Sequence, residues 1–146
     1  MMEFNTEHFS RCVATLGRAF NTLQELAADD ELHDIYRAAC VKEFEIILEQ
    51  AGRLLKKCLA PYFTSSKQAD CLTFKDIFRH AAKHGLIHLE ESERWLAYRD
   101  NRNDTAHDYG EKFAEDTLRL LPMFIADARN LRETMRRHDP TLADPR

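Results

Sequence analysis

The sequence predicts an all-α fold, an up-and-down bundle of about five helices, on three observations. Apolar residues recur at steps of three and four along almost the whole chain, the period of helices with one buried face. Glycine and proline are scarce, four of each in 146 residues, so few positions resist helix. Runs of β-branched residues are few, which disfavours strands. At this length a single domain is expected over residues 1–146, large enough to bury a core without disulfides or metals.

The first helix is expected from about Thr6 to Ala27. Phe9, Val13, Leu16, Phe20, Leu23 and Ala27 form its apolar stripe, and Asn5 or Thr6 caps its start. Asp29 and Asp30 break the pattern and offer a cap to a second helix, about Glu31 to Leu59. Ile35, Cys40, Phe44, Ile47, Leu48, Ala51, Leu55 and Cys58 line one side of it. Lys56 and Lys57 suit the negative end of its dipole, and Pro61 stops it. At about 1.5 Å per residue it spans roughly 40 Å. The first two helices are therefore expected to be the longest and to pair antiparallel as the scaffold. Gly52, beside Ala51, costs roughly 1 kcal/mol against alanine inside a helix. Either it admits a close neighbour or it is merely tolerated.

Pro61 to Leu72, with Thr64, Ser65 and Ser66, reads as a loop. Thr73 then caps a short helix, with Asp76 completing a partial capping box and Gly85 ending it in a left-handed turn. Phe74, Ile77, Phe78 and Ala81 face inward. Glu90, Glu91 and Glu93 suit the start of the next helix, Trp95 and Tyr98 are its large anchors, and Arg102 lies near its C-terminal end. The last helix begins near Gly110 and runs to about Arg137. Pro122 lies inside it and is expected to kink or split it. Beyond His138 the chain is expected to be loose.

The net charge of −4 excludes a generic nucleic-acid binder, so any nucleic-acid contact must be a local patch. Cys12, Cys40, Cys58 and Cys71 show no C-x-x-C spacing, which disfavours zinc ribbons and thioredoxin-like chemistry; they read as small core residues in a reducing compartment. No secretory leader and no membrane span are apparent, so a cytoplasmic protein is expected. His80 and His84, four apart, share a helix face that could hold a metal, but no third ligand stands at a persuasive spacing. Together with Lys75, Arg79, Lys83 and His88 they read as a solvated basic face, with a patch that steers RNA as the second reading. No cofactor is expected.

The densest polar run is Arg99 to Gly110. It contains Arg102-x-x-x-x-His107-x-Tyr109, with Asn103 directly after the arginine. Arginine forks onto phosphate oxygens and histidine moves a proton near neutral pH, a pairing that suits a phosphodiester. The same residues also suit a polar turn between helices with a few ion pairs.

Arg102, Asn103, His107 and Tyr109, set between two amphipathic helices, resemble the motif of the HEPN superfamily, in particular the HepT-type toxins, also described as nucleotidyltransferase substrate-binding proteins. The order of helices resembles that family over roughly residues 5 to 138. The resemblance implies a homodimer that cleaves RNA without metal at a composite site. Arg102 would hold the phosphate, His107 would act as base or acid, Asn103 would bond the motif backbone or phosphate, and Asp104 and Asp108 would orient His107. It also implies a nucleotidyltransferase antitoxin as partner, which silences the toxin by adding AMP to Tyr109. A second implied role is that of a non-catalytic substrate-binding subunit of a minimal nucleotidyltransferase. A plain helical interaction module is the third reading.

Overall fold

The computed structural model describes residues 4–104 and 111–142. Helix accounts for 84% of them and none lies in a strand, as expected of an all-α bundle. The helices are α1 (Glu7–Glu25), α2 (Glu31–Leu59), α3 (Ser66–Asp70), α4 (Phe74–Lys83), α5 (Leu89–Asp104) and α6 (Glu111–Arg137). Single 3₁₀ turns cover Ala60–Tyr62 and Pro140–Leu142.

Side-chain caps set the starts of several of these helices. Asn5 Oδ1 accepts from the Glu7 N–H at 2.8 Å, so the asparagine rather than Thr6 supplies the side-chain bond at the start of α1. Asp30 accepts from Leu32 N–H at 2.9 Å ahead of α2. Thr73 and Asp76 form the complete reciprocal capping box before α4, each accepting the other's backbone N–H at 3.2 Å. Gly85, at φ +79°, ends α4 in the left-handed region that favours glycine.

α2 is the central element, packed against α1, α4 and α6. Cys12, early in α1, accepts from Gln50 Nε2, late in α2, at 3.7 Å, as in an antiparallel pair. Gly52 is more than tolerated. A Cβ there would lie 2.8 Å from Cδ2 of Phe74, so its bare surface seats the first residue of α4. The core centres on Trp95, whose ring stacks on Phe78 of α4 at 5.2 Å and meets Phe124 of α6 edge-on at 5.5 Å. Phe44 of α2 packs on the same Phe124 at 4.7 Å. Burial of side chains this large contributes roughly 1.5–3 kcal/mol each, and these rings tie four helices together.

Four expectations need correction. α6, with 27 residues, exceeds α1, with 19, because it continues through Pro122 without splitting. Pro122 faces solvent, where the carbonyl freed by its missing N–H can bond water. The segment expected as a loop contains α3, capped by Ser65 Oγ accepting from Gln68 N–H. Cys71 ends α3 on the surface and is exposed, whereas Cys12, Cys40 and Cys58 are buried. Ile35 is 61% exposed, since the first turns of α2 project beyond the core and its buried residues begin at Cys40.

Candidate functional site

The last turns of α5 bring the polar motif to the surface, and consecutive side chains fasten them. Arg99 lays its guanidinium over the Phe74 ring of α4, 5.1 Å from the centroid. Asp100 accepts from Lys75 of α4 at 2.9 Å. Asn101 Nδ2 donates to Thr117 Oγ1 of α6 at 3.1 Å. Arg102 Nε lies 3.8 Å from Glu45 Oε2 of α2. Four residues in a row thus reach three helices, because a helix advances each successive side chain by about 100°.

The Arg102–Glu45 pair is loose. Its side chains are 39% and 33% exposed, and pairs of this kind contribute roughly 0–1 kcal/mol. A phosphate can accept two parallel N–H bonds from the arginine fork, a stronger contact than the 3.8 Å approach to Glu45. Glu45 also lines a surface groove of about 520 Å³ with Arg37, Lys42 and Phe113, so Arg102 stands at its edge.

Asn103 follows on the exposed side of α5, and Asp104 is the last residue of the helix. His107, Asp108 and Tyr109 lie outside the described residues.

The first half of α5 is built differently. Asp127 of α6 is 1% exposed and receives three hydrogen bonds: two from Arg94, from Nε and Nη2 at 2.8 Å each, and one from the Tyr98 hydroxyl at 2.6 Å. Burial and the neighbouring carboxylate hold the Tyr98 phenol well above its ordinary value, so it stays protonated as a donor. Glu91, also buried, accepts from Trp95 Nε1 at 3.3 Å, and burial raises its carboxyl above the ordinary range. Sequence reading missed this network. Its signal was Asp127 itself, an acid set among Phe124, Ala128 and Leu131 on the apolar stripe of α6, where a charge must have a partner.

A family model described as "nucleotidyltransferase substrate binding protein like" matches residues 6–137. The chain belongs to that family. A Haemophilus influenzae protein named probable ribonuclease HepT is 29% identical over 108 residues, covering 74% of this chain and 73% of that protein. A solved Haemophilus influenzae structure, described as the fold of a substrate binding domain of a nucleotidyltransferase, is similar with a TM-score of 0.75 and 25% identity, over 90% of this chain and 99% of that one. A Thermus thermophilus crystal structure is similar with a TM-score of 0.62 and 26% identity, over 83% and 98% of the two chains. The family agrees with the resemblance carried by Arg102, Asn103, His107 and Tyr109.

In this member of the nucleotidyltransferase substrate binding protein-like family, His80 of α4 and His84, which caps its end, engage aromatic rings. His84 stacks on Tyr62 at 4.2 Å, and His80 meets Phe63 edge-on at 5.2 Å. Among the described residues no three His, Cys, Asp or Glu side chains cluster as metal ligands, and no helix is long and apolar enough to cross a membrane.

Proposed function

We propose that this protein is the RNA-cleaving member of a toxin–antitoxin pair whose other member is a nucleotidyltransferase. The observation that supports it most is the place of Arg102, partly exposed near the end of α5 and 3.8 Å from Glu45 at the rim of a surface groove, where a phosphate can reach it. The name of the Haemophilus relative points the same way.

In this reading a substrate phosphate displaces Glu45 from Arg102. His107, or its counterpart from a second copy, removes the proton of the ribose 2′-hydroxyl. The 2′-oxygen bonds to phosphorus, the bond from phosphorus to the 5′-oxygen breaks, and that oxygen takes a proton from an imidazolium. RNA brings its own nucleophile, so no serine, cysteine or metal is required. Asn103 bonds the phosphate or motif backbone, and Asp104 and Asp108 orient His107. A homodimer presents the motif twice across a two-fold axis. The partner silences the site when the Tyr109 hydroxyl attacks the α-phosphorus of ATP, pyrophosphate leaves, and the attached AMP covers Arg102 with negative charge.

The test is cleavage of single-stranded RNA by the purified protein in the presence of a chelator. Wild type is expected to cut; His107→Ala and Arg102→Ala are expected to lose at least about 10²-fold in rate. Arg102→Lys should also be impaired, since lysine keeps the charge but not the fork. Undiminished cutting by either alanine variant would overturn the assignment. With the partner enzyme, ATP and magnesium, the intact mass should rise by AMP units in wild type and stay unchanged in Tyr109→Phe. The family description favours a second reading, a non-catalytic substrate-binding subunit of the nucleotidyltransferase. RNA left intact by wild type would select it.

A further inference from the structure

Between α4 and α5 runs a surface groove of about 530 Å³ that the site described above does not use. Its α4 wall carries Arg79 and Lys83, both exposed, in line with Lys75, so three cations stand four residues apart on one face. At a rise of about 1.5 Å per residue they are spaced by about 6 Å, an interval similar to that between successive phosphates of an extended strand. Its α5 wall carries Leu96 and Leu89, the latter 63% exposed, with Glu93 between them. Leu89, Glu93, Leu96, Asp100 and Asn103 follow one another at steps of four and three, so they share one face of α5. That face begins in the groove and ends at Asn103, beside Arg102. The Lys75–Asp100 pair, 2.9 Å long, joins the two walls next to the motif.

We infer that this groove is the path of the RNA strand as it leaves the candidate cleavage site, with phosphates on Arg79 and Lys83 of α4 and a base against Leu89 and Leu96. The inference rests on the ribonuclease reading above. The asymmetry of the walls assigns the strand's orientation. Glu93 repels phosphates from α5, while the leucines offer apolar surface that stacked-out bases of a single strand can cover. In the groove lining the two cations of α4 outnumber the one acid, Glu93, on a chain of net charge −4, so phosphates are drawn to the α4 wall. Continuity with Asn103 separates an RNA path from an isolated basic patch.

The experiment measures binding of a fluorescein-labelled single-stranded RNA to the full chain carrying His107→Ala, by anisotropy over a range of salt. Arg79→Glu and Lys83→Glu are each expected to weaken binding about tenfold. The slope of log affinity against log salt should fall by about 0.7 for each phosphate that no longer meets a cation. Lys67→Glu on exposed α3 changes the net charge equally, lies outside the groove, and should weaken binding less than about twofold. Both altered groove side chains are exposed, so circular dichroism and thermal midpoints should match the parent. Groove variants that bind RNA no worse than Lys67→Glu, while the wild-type chain still cuts RNA, would overturn the groove alone. A parent chain that does not bind RNA, together with a wild-type chain that leaves RNA intact, would overturn the cleavage reading with it. Unchanged RNA binding combined with lost binding of the nucleotidyltransferase would assign the groove to a protein partner instead, and overturn the RNA path.

Discussion

In the first half of α5, Arg94 and Tyr98 converge on a carboxylate that is 1% exposed; in the second half, Lys75 and Arg102 hold carboxylates that are 51% and 33% exposed. The two halves carry similar side chains. What differs is the solvent around them. The Asp127 cluster sits where an unmatched charge is costly, so every oxygen is satisfied and the arrangement locks α5 to α6. The pairs at the far end sit in water, where each contributes little and can be traded for a ligand. One helix thus has a structural half and an exchangeable half, and the boundary falls within a turn of Tyr98.

Removing the centre of the buried half should have the largest effect on stability. Asp127→Ala leaves the Tyr98 hydroxyl buried without its acceptor and strips Arg94 of its partner. A fully buried broken pair costs roughly 3–5 kcal/mol. Because Arg94 is 39% exposed and can recover water, roughly 2–4 kcal/mol is expected here. Thermal unfolding followed by circular dichroism should show a midpoint lower by about 5–15 °C. Arg102→Ala in the same assay should shift the midpoint clearly less, since its pair with Glu45 is partly exposed and 3.8 Å long. Equal shifts in the two variants would erase the distinction between the halves.

The next effect concerns what seats α4 beneath the exchangeable half. Gly52→Ala pushes a Cβ to within 2.8 Å of the Phe74 ring, which also carries Arg99. Overpacking of this kind costs roughly 1–3 kcal/mol, against a gain of about 1 kcal/mol in helix propensity. A net loss of stability is expected in urea denaturation. A stabilised variant would mean that Phe74 moves aside freely and that α4 does not brace the motif.

Asn101→Ala removes the bond to Thr117 and should cost about 1 kcal/mol or less, since the site is partly exposed. If the fastening matters to the site, cleavage should fall by more than this small loss of stability explains. Unchanged cleavage would show that the other fastenings suffice.

The smallest effect is one of pH. Burial raises the Glu91 carboxyl, helped by the charge of Asp127 and opposed by the Trp95 hydrogen bond. A carboxyl raised on folding binds more protons folded than unfolded. Its contribution is therefore complete below the ordinary glutamate range and lost as pH climbs through the raised value. Glu91→Gln, which keeps an oxygen for Trp95, should flatten the decline in stability over that window. Denaturation midpoints measured from acid to neutral pH would test this, and parallel curves for the two proteins would contradict it.

Much of this was legible in the residues. Helix boundaries were readable because caps act over two or three residues: Asp30, Thr73 with Asp76, and Gly85 each do locally what their chemistry implies. The stripes of α1, α2 and α6 were readable because a helix repeats its face at a fixed period. The residues Arg102 and Asn103 of the motif were also legible, by their type and by resemblance, and they stand at the end of α5 as expected.

Tertiary structure alone decided the rest. That Gly52 seats Phe74, that Arg102 faces Glu45 from a distant stretch of the chain, and that Asp127 gathers Arg94 and Tyr98 are meetings between separate helices. No local rule encodes them, because periodicity fixes which face a residue occupies but not which helix comes to cover that face. The same holds for solvent. Asp127 and Asp100 are the same amino acid in the sequence, and only the packing around each makes one a buried anchor and leaves the other at the surface.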